Sequence, residues 1–429
     1  MIRSCKNIDI EDWQTVEPWV YECIDRHYKR RDFKRLLLTI GSLSDEDYRR
    51  VVKDANKMPL LKAAANLAKE AVRQIKNRTL ELEPVHIREM ADRSSGKIRQ
   101  IGKESAMQQI FDYIAKRSCE DIWKRRIVPQ QVSSIAGRGQ NFGISMIQGW
   151  IEADNAAAKW AYKHGKRYYR KCKHYVKLDV RGCFKAMRLA RFMKLFRRDC
   201  GNEAIIWLWY ELLSLHRVDG YEGFMIGALP SETAAQYIMS LLYRFAMSLH
   251  KQRRGKSAKL INHALLFMDD QIYYGSSRRD LEIAVKKIIK YAADELGLEI
   301  KANWHICDMD GIPLDAMGFV VHADSTVTVR PRVFIRARRA ALRYLRRSRM
   351  TVKQARRLSS YKGYFYPNRR KCRKRHIRLN LKTRKVDKKY KLAAVFAKAA
   401  AVVSRYERRK HYEDTVYKQT GSNPVYAFA

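Results

Sequence analysis

The sequence is short of acidic residues and has no long apolar run. Its 429 residues include 44 Asp and Glu against 88 Lys and Arg, a formal net charge of +44. No stretch approaches the ~20 apolar residues of a membrane-spanning helix. The N-terminus carries Arg3 and Lys6 and has no apolar signal segment. These absences predict a cytoplasmic protein with no membrane partner.

The eight cysteines form no Cys-x-x-Cys pair. Pairs at that spacing are the usual sign of a zinc site, so their absence predicts that the cysteines bind no metal. Scattered cysteines in a chain of this size are typical of a reducing compartment, which agrees with a cytoplasmic location. Hydrophobic residues make up 46% of the chain, enough for a globular protein with several subdomains.

The excess of positive charge predicts a polyanionic partner. A net charge of +44 causes strong self-repulsion unless such a partner neutralises it. Nucleic acid is the first partner that we expect, and an anionic membrane surface is the second. A structural RNA-binding protein is the alternative to an enzyme.

The charge is most one-sided from Ser325 to Val386, where 23 Lys or Arg occur without one Asp or Glu. Apolar residues persist there at helical spacing, so we expect a folded helical region rather than a tail. Its basic face would contact a nucleic-acid backbone, although a charge run is often only a solvated face. The candidate contact residues are Arg338, Arg339, Arg346 and Arg347.

Two adjacent carboxylates, Asp269 and Asp270, lie between two apolar runs. This pattern predicts a buried hairpin with the acidic pair at its turn. Adjacent carboxylates repel each other, and burying them unpaired costs roughly several kcal/mol each. We therefore expect a cation there, and a pair of Mg²⁺ ions is the simplest one. An ordinary surface turn is the alternative.

A second stretch, from Tyr175 to Phe184, is rich in β-forming residues and contains Asp179. An apolar pattern with helical spacing follows it. If this strand lies beside the acidic hairpin, Asp179 supplies the third carboxylate of a two-metal site. The three aspartates are therefore the candidate catalytic residues.

Together the two motifs resemble the palm of reverse transcriptases. In those enzymes one Asp comes on a strand, an aromatic residue follows five positions later, and a Tyr-x-Asp-Asp hairpin supplies the other two carboxylates. Here the aromatic residue is Phe184, and the hairpin sequence is Phe267-Met268-Asp269-Asp270, with Phe in place of Tyr. The resemblance implies RNA-directed DNA polymerase activity, with two Mg²⁺ ions bound by Asp179, Asp269, Asp270 and the Val180 carbonyl. It also implies that the Phe184 ring excludes a 2′ hydroxyl.

Other segments resemble the nucleotide-binding parts of the same enzymes. Two basic strands around residues 86–101 resemble the fingers hairpin, in which Lys97 and Arg99 would meet the triphosphate; a solvated basic hairpin is the alternative. Gln236 ends a segment that lies under the incoming nucleotide, and a Gln at that position resembles diversity-generating retroelement and some defence-associated enzymes. Lys301 is the candidate basic residue near the departing pyrophosphate.

Arg138 lies in a Gly-Arg-Gly turn after the helix expected over residues 105–127. In the resemblance this turn approaches the template, so Arg138 is a candidate contact to template phosphate. A purely structural turn is the alternative, because glycine is common in turns of all kinds.

The resemblance implies an α+β, right-hand polymerase fold and covers about residues 80–365. The expected parts are an N-terminal helical extension (1–80), fingers (81–174), a palm with the carboxylates (175–324), a basic helical thumb (325–386) and a C-terminal extension (387–429).

Three biological settings stay open: antiphage defence, which we expect first, a diversity-generating retroelement, and a retron. Enzymes of all three use a dedicated structured RNA. The expected partners are therefore a non-coding RNA template, the cDNA product and dNTPs. Whether the chain forms a homo-oligomer stays open. The alternative of another class is a non-catalytic RNA-binding protein on a polymerase fold.

Overall fold

The computed structural model describes residues 3–53, 56–91, 98–216, 223–253, 255–345, 350–365 and 394–407. Lys97, Arg346 and Arg347 lie outside these ranges. The described chain mixes helices and strands and divides into two compact units. The first unit comprises Met1–Gln131, Leu178–Ser248 and Val285–Asn303, and the second comprises Val132–Lys177, Leu249–Ala284 and Trp304–Ala429. These segments cross the subdomain boundaries given above, which stay predictions.

The first unit begins with four helices, as the apolar periodicity of residues 1–80 predicts. They are α1 (Trp13–His27), α2 (Arg31–Leu38), α3 (Asp45–Lys53) and α4 (Met58–Lys76). α1 begins after Asp12, whose carboxylate accepts hydrogen bonds from the N–H groups of Gln14 and Thr15. α4 packs against α1 and buries several alanines, whose small side chains allow close approach.

The fingers-like hairpin expected before residue 105 is present in the first unit. Strands β1 (His86–Ala91) and β2 (Ile98–Lys103) pair antiparallel. The single helix expected over residues 105–127 is instead two helices, α5 (Ala106–Ser118) and α6 (Glu120–Arg126). They separate because the backbone leaves the helical region at Cys119, where φ is −105° and ψ is 18°.

An aromatic core organises the rest of the first unit. After α8 (Cys183–Ala186) come α9 (Leu189–Asp199), α10 (Glu203–Ser214) and α11 (Leu229–Ser248). Rings of α6, α9, α10 and α11 meet at centroid distances of 5.3–6.3 Å; they belong to Trp123, Phe192, Phe196, Trp209 and Tyr237.

The second unit is built around a four-stranded sheet with the order β6-β7-β3-β8, although Leu178 and Asp179 at the end of β3 belong to the first unit. The strands are β3 (His174–Asp179), β6 (His263–Phe267), β7 (Asp270–Gly275) and β8 (Ile306–Asp308). Helix α7 (Gln140–Lys163) is joined to the start of β3 through Asp154, whose carboxylate accepts from the N–H groups of Lys171 and Cys172 at 2.9 Å. A separate hairpin is formed by β4 (His250–Arg253) and β5 (Lys256–Lys259), and α12 (Arg278–Leu296) contributes residues to both units.

The described residues of the basic C-terminal region from 331 onward are largely helical, as the apolar spacing predicts. A three-stranded sheet with the order β11-β10-β9 precedes it, formed by β9 (Leu314–Ala316), β10 (Phe319–Val321) and β11 (Val327–Val329). Helices α13 (Pro331–Leu345), α14 (Val352–Phe365) and α15 (394–407) bury their apolar residues with this sheet in one core. Tyr364 of α14 packs on Phe319 at a centroid distance of 5.4 Å. Across the described ranges, no helix has both the length and the apolar character to cross a bilayer.

Candidate functional site

The acidic stretch forms a tight β-hairpin in the second unit. Strands β6 and β7 pair in register from His263 opposite Tyr274 to Phe267 opposite Asp270. That register leaves only Met268 and Asp269 in the loop, so both aspartates lie at the tip. The apolar runs on either side are buried, which explains why they do not alternate with polar residues.

The acidic pair itself is not buried, contrary to the sequence-based expectation. Asp269 is half-buried and Asp270 is exposed. Solvent therefore screens much of their mutual repulsion, and burial alone does not require a cation at the hairpin. The hairpin prediction is confirmed, whereas the argument from burial to metal is wrong.

The loop of this hairpin has an unfavourable backbone conformation. Met268 has a φ of +57°, in the left-handed region that a residue with a side chain rarely adopts. Such a conformation costs about 1–2 kcal/mol for an L-residue. A two-residue hairpin loop requires a positive φ at its first residue, so the tightness of this turn accounts for the conformation of Met268.

The third candidate carboxylate stands at the end of β3. Asp179 is the last residue of that strand, and β7, which begins at Asp270, is the neighbouring strand in the sheet. Val180 pairs with Ile300 in an antiparallel bridge closed by bonds from Lys301 N–H to the Asp179 carbonyl and from Arg181 N–H to the Glu299 carbonyl. In such a pair the N–H and C=O of the central residue point away from the partner, so the Val180 carbonyl is directed away from Ile300.

Lys301 forms an ion pair with Asp179, which the sequence does not predict. Its Nζ lies 2.5 Å from Oδ2 of Asp179, and both side chains are about one-third exposed, 34% and 36%. The other carboxylate oxygen, Oδ1, is buried and has no hydrogen-bond partner in the described part of the chain. A buried carboxylate oxygen without a donor is costly unless a cation or water satisfies it.

These residues fit a magnesium site by donor chemistry. Mg²⁺ prefers carboxylate and carbonyl oxygens and keeps several waters, so a site needs only a few protein ligands. The unpaired Oδ1 of Asp179, the outward-directed Val180 carbonyl and the exposed acidic tip are ligands of this kind.

Phe184 lies in the first turn of α8 and is half-buried. Its carbonyl accepts a hydrogen bond of 2.8 Å from the N–H of Phe224. A Cβ on Gly223 would lie 2.5 Å from the same carbonyl oxygen, so only glycine fits beside α8 at this position. The segment before α11 is thereby held against the residue expected to select the sugar.

Gln236 is buried in α11 rather than open to solvent. Its main-chain carbonyl and its side-chain carbonyl both accept from the side-chain amide of Gln131, at 2.7 and 2.8 Å. In the same helix, the Ser231 hydroxyl lies 3.0 Å from Nδ1 of His216, a residue that follows α10, and His216 Nε2 is 3.3 Å from Glu104. All three members of this Ser-His-Glu network are buried, and no local sequence pattern predicts it.

The predicted phosphate contacts belong to separate elements. Arg99 is exposed on β2 opposite Met90, whereas Lys97 lies outside the described residues. Arg138 follows Gly137, which has a φ of +78°, and burial lowers the pKa of its guanidinium. A Cβ at Gly137 or at Gly139 would meet no atom within 4 Å, so this turn is open rather than closely packed.

The basic helix α13 presents one arginine face. Four arginines recur at spacings of four, three and four residues, and alanines line the opposite buried face. The four are Arg332, Arg336, Arg339 and Arg343. Within the described ranges, none of the four is ion-paired. Of the two predicted contacts here, Arg339 belongs to this face and Arg338 is half-buried beside it.

Comparison with known proteins does not identify a family for this chain. No protein-family model matches the chain, and no curated protein matches it. Apo telomerase from Candida tropicalis is 11% identical over 96% of this chain and 84% of that one, with a TM-score of 0.42. Its form truncated from the C-terminal domain is 13% identical over 77% and 84%, with a TM-score of 0.39. Telomerase from Candida albicans with a TWJ fragment of telomeric RNA is 10% identical over 77% and 62%, with a TM-score of 0.38. TM-scores below 0.5 establish neither fold nor function for this chain.

Proposed function

We propose that the chain is an RNA-directed DNA polymerase that copies a dedicated structured RNA. The observation that carries the proposal is the acidic hairpin, with Asp269 and Asp270 at its tip and, in the neighbouring strand, Asp179 as the last residue. Carboxylates are ligands suited to the two Mg²⁺ ions that promote nucleotidyl transfer.

In the proposed site Asp179 and Asp269 hold two Mg²⁺ ions, the Val180 carbonyl assists, and Asp270 completes the charge balance. Bound there, the ions would activate a primer 3′ hydroxyl and offset the charge of the triphosphate. Lys301 neutralises Asp179 in the structure described here. We infer that it leaves Asp179 for the triphosphate when a nucleotide binds, because phosphate oxygens offer it more negative charge.

The proposed nucleotide pocket uses residues of the first unit. The half-buried Phe184 ring would lie against the deoxyribose and exclude a 2′ hydroxyl, which favours dNTPs. Arg99 and Lys97 would meet the phosphates from the β1–β2 hairpin. The bonds between Gln236 and Gln131 favour a supporting role for Gln236, because its side-chain carbonyl is already engaged.

A nucleic-acid duplex would contact the arginine face of α13. Among the described residues, none forms an ion pair with these four guanidinium groups, and arginine binds phosphate in bidentate geometry. The net charge of +44 leaves basic surface for a folded RNA as well, recognised through shape and 2′ hydroxyls. Arg138 would contribute a further template contact.

The activity test is DNA synthesis by the purified full chain on an RNA template with an annealed DNA primer. We expect Mg²⁺-dependent incorporation of dNTPs and little incorporation of NTPs, and digestion of the RNA beforehand should abolish product. Tight RNA binding without any synthesis would instead support the non-catalytic RNA-binding alternative.

Antiphage defence in the cytoplasm is the biological setting that we propose. RNA recovered with the protein from its native cells should be dominated by one structured species encoded beside the gene, and the locus should protect cells against some phages. A heterogeneous RNA pool without protection would contradict this setting. A mutated repeat near the gene would favour a diversity-generating retroelement, and cDNA joined to its RNA would favour a retron.

A further inference from the structure

Three cysteines from distant parts of the sequence meet inside the first unit. The sulfur atoms of Cys5, Cys119 and Cys200 all lie within 4.8 Å of one another, and all three residues are buried. Cys5 precedes the helices of the N-terminal region, Cys119 separates α5 from α6, and Cys200 follows α9. We propose that these three thiols bind one Zn²⁺ ion, which would overturn the sequence-based expectation that no cysteine binds metal.

The spacing of the sulfurs suits zinc. Tetrahedral zinc with Zn–S bonds of about 2.3 Å places its sulfur ligands about 3.8 Å apart. The sulfur atoms are at most 4.8 Å apart, so a movement of about half an ångström by each would bring any two of them to this distance. Soft thiolates select zinc over the magnesium of the proposed catalytic site, so the two sites do not compete for one ion.

The backbone holds these cysteines where they are. The N–H of Ser4 donates to the Asp199 carbonyl at 2.7 Å, and the N–H of Gly201 donates to the Ser4 carbonyl at 2.9 Å. These bonds fix Cys5 beside Cys200. Cys5 has a φ of +67°, a left-handed conformation that is unfavourable for a cysteine and that the surrounding contacts must maintain.

Both basic and acidic residues lie around the cluster. Side-chain carbons of Arg3 and Lys6 lie against Gly201, next to Cys200, and the carboxylates of Asp121 and Asp199 are close enough to act on the thiols. The fourth ligand would be a water or Asp121, which is exposed two residues after Cys119.

The alternative is ordinary packing, since a free cysteine also behaves as a small apolar side chain. Cys23 represents that case: it is equally buried in the same unit, and its thiol donates to the Gln109 carbonyl at 3.6 Å. Cys23 therefore provides a matched control for the cluster.

The test is metal binding by the purified full chain, with zinc content measured by mass spectrometry and Co²⁺ used as a spectroscopic probe. We expect one zinc per chain, and in the cobalt-loaded protein a thiolate-to-cobalt charge-transfer band. Cys23→Ala should keep both. Cys5→Ala, Cys119→Ala and Cys200→Ala should each lose about a third of the band intensity and weaken cobalt binding at least tenfold.

The zinc content and the cobalt spectrum are measured first on the wild-type chain, so they test the proposal even if an alanine variant does not fold. A wild-type chain without zinc and without the cobalt band would overturn the proposal. So would a disulfide between two of the three cysteines, or a band that all three alanine variants retain. Polymerase activity is not a readout in any of these experiments, so their outcome is independent of the proposed function.

Discussion

The ammonium group of Lys301 lies 2.5 Å from Oδ2 of Asp179, the carboxylate that ends strand β3. Because a lysine already neutralises this carboxylate, a divalent cation at Asp179 must compete with it. The pair is about one-third exposed, so it contributes at most about 1 kcal/mol.

Removing that competition should strengthen metal binding. In the nucleic-acid-free protein, Lys301→Met is expected to lower the concentration of Mn²⁺ needed for half-saturation, by up to about fivefold, measured by calorimetric titration with Mn²⁺ as the probe for Mg²⁺. Lys177→Met is the control, because Lys177 lies on β3 together with Asp179 but donates a hydrogen bond to the Asp315 carbonyl. Equal Mn²⁺ affinity in Lys301→Met and wild type would remove Asp179 from the metal site.

The left-handed conformation of Met268 predicts that glycine affects stability differently there than in an ordinary strand. Met268→Gly should leave the free energy of unfolding unchanged or raise it by up to about 1 kcal/mol, because relief of the left-handed strain offsets the greater freedom of glycine in the unfolded chain. Met268→Val should destabilise, since a β-branched residue fits this conformation worst. Urea unfolding provides the measurement.

Thr328, in the middle of β11, serves as the comparison. There the same change to glycine should destabilise by roughly 0.5–1 kcal/mol, as it does in an ordinary strand. Destabilisation by Met268→Gly of the same size as Thr328→Gly would contradict the assignment of strain to the hairpin loop.

The first unit contains a buried carboxyl that should make its stability depend on pH. Burial raises the pKa of Asp112 well above its ordinary value, and the neighbouring Glu104 raises it further. Cys23 interacts electrostatically with Asp112, and His216 lies 3.3 Å from Glu104. The folded state keeps a proton that the unfolded chain releases near pH 4, so stability falls as the pH rises above about 4.

Asp112→Asn should remove this loss and raise the melting temperature at pH 7 more than at pH 4. Asp199 is the matched control, being equally buried in the same unit. Burial alone would raise the pKa of Asp199, but hydrogen bonds from Arg126 and Tyr237 lower it below its ordinary value. Asp199→Asn should therefore destabilise at pH 7. An Asp112→Asn variant with wild-type pH dependence would show that Asp112 is ionised in the folded protein.

Much of the fold follows from local sequence pattern. The N-terminal helices, the fingers-like hairpin and the acidic hairpin are all predicted. Each depends on the local order of apolar and polar residues, which is visible in the sequence. The break at Cys119 is not, since no proline or glycine marks it. The exposure of Asp270 is not predicted either, because the sequence pattern locates the turn but does not determine how far the turn is buried.

The remaining features depend on long-range contacts. Asp179 and Lys301 are far apart in sequence, and the bridge between Val180 and Ile300 brings them together. The cysteine cluster draws on three distant segments, so no spacing rule could reveal it. The arginine face of α13 is an exception, since its four-three-four spacing is a local pattern visible in the sequence.

That arginine face yields a prediction about salt. Changing Arg339 and Arg343 to Gln should weaken RNA–DNA duplex binding and lower the slope of log affinity against log salt by about 0.7–0.9 for each lost phosphate contact. Changing Arg50 and Arg73 to Gln removes the same charge from arginines that are already ion-paired, and should leave the slope nearly unchanged. Equal slopes for the two double variants would mean that α13 is merely solvated.

The most direct test of the account is primer extension with the carboxylates changed one at a time. Asp179→Asn and Asp269→Asn should each reduce the rate of dNTP incorporation on an RNA template by at least about a thousandfold, because metal ions supply several kcal/mol of transition-state stabilisation. Asp310→Asn, at an exposed turn aspartate paired with Arg170, should extend at the wild-type rate. Melting temperatures near that of wild type would show that the variants are folded. Near-normal extension by folded Asp179→Asn or Asp269→Asn would contradict the proposed polymerase site.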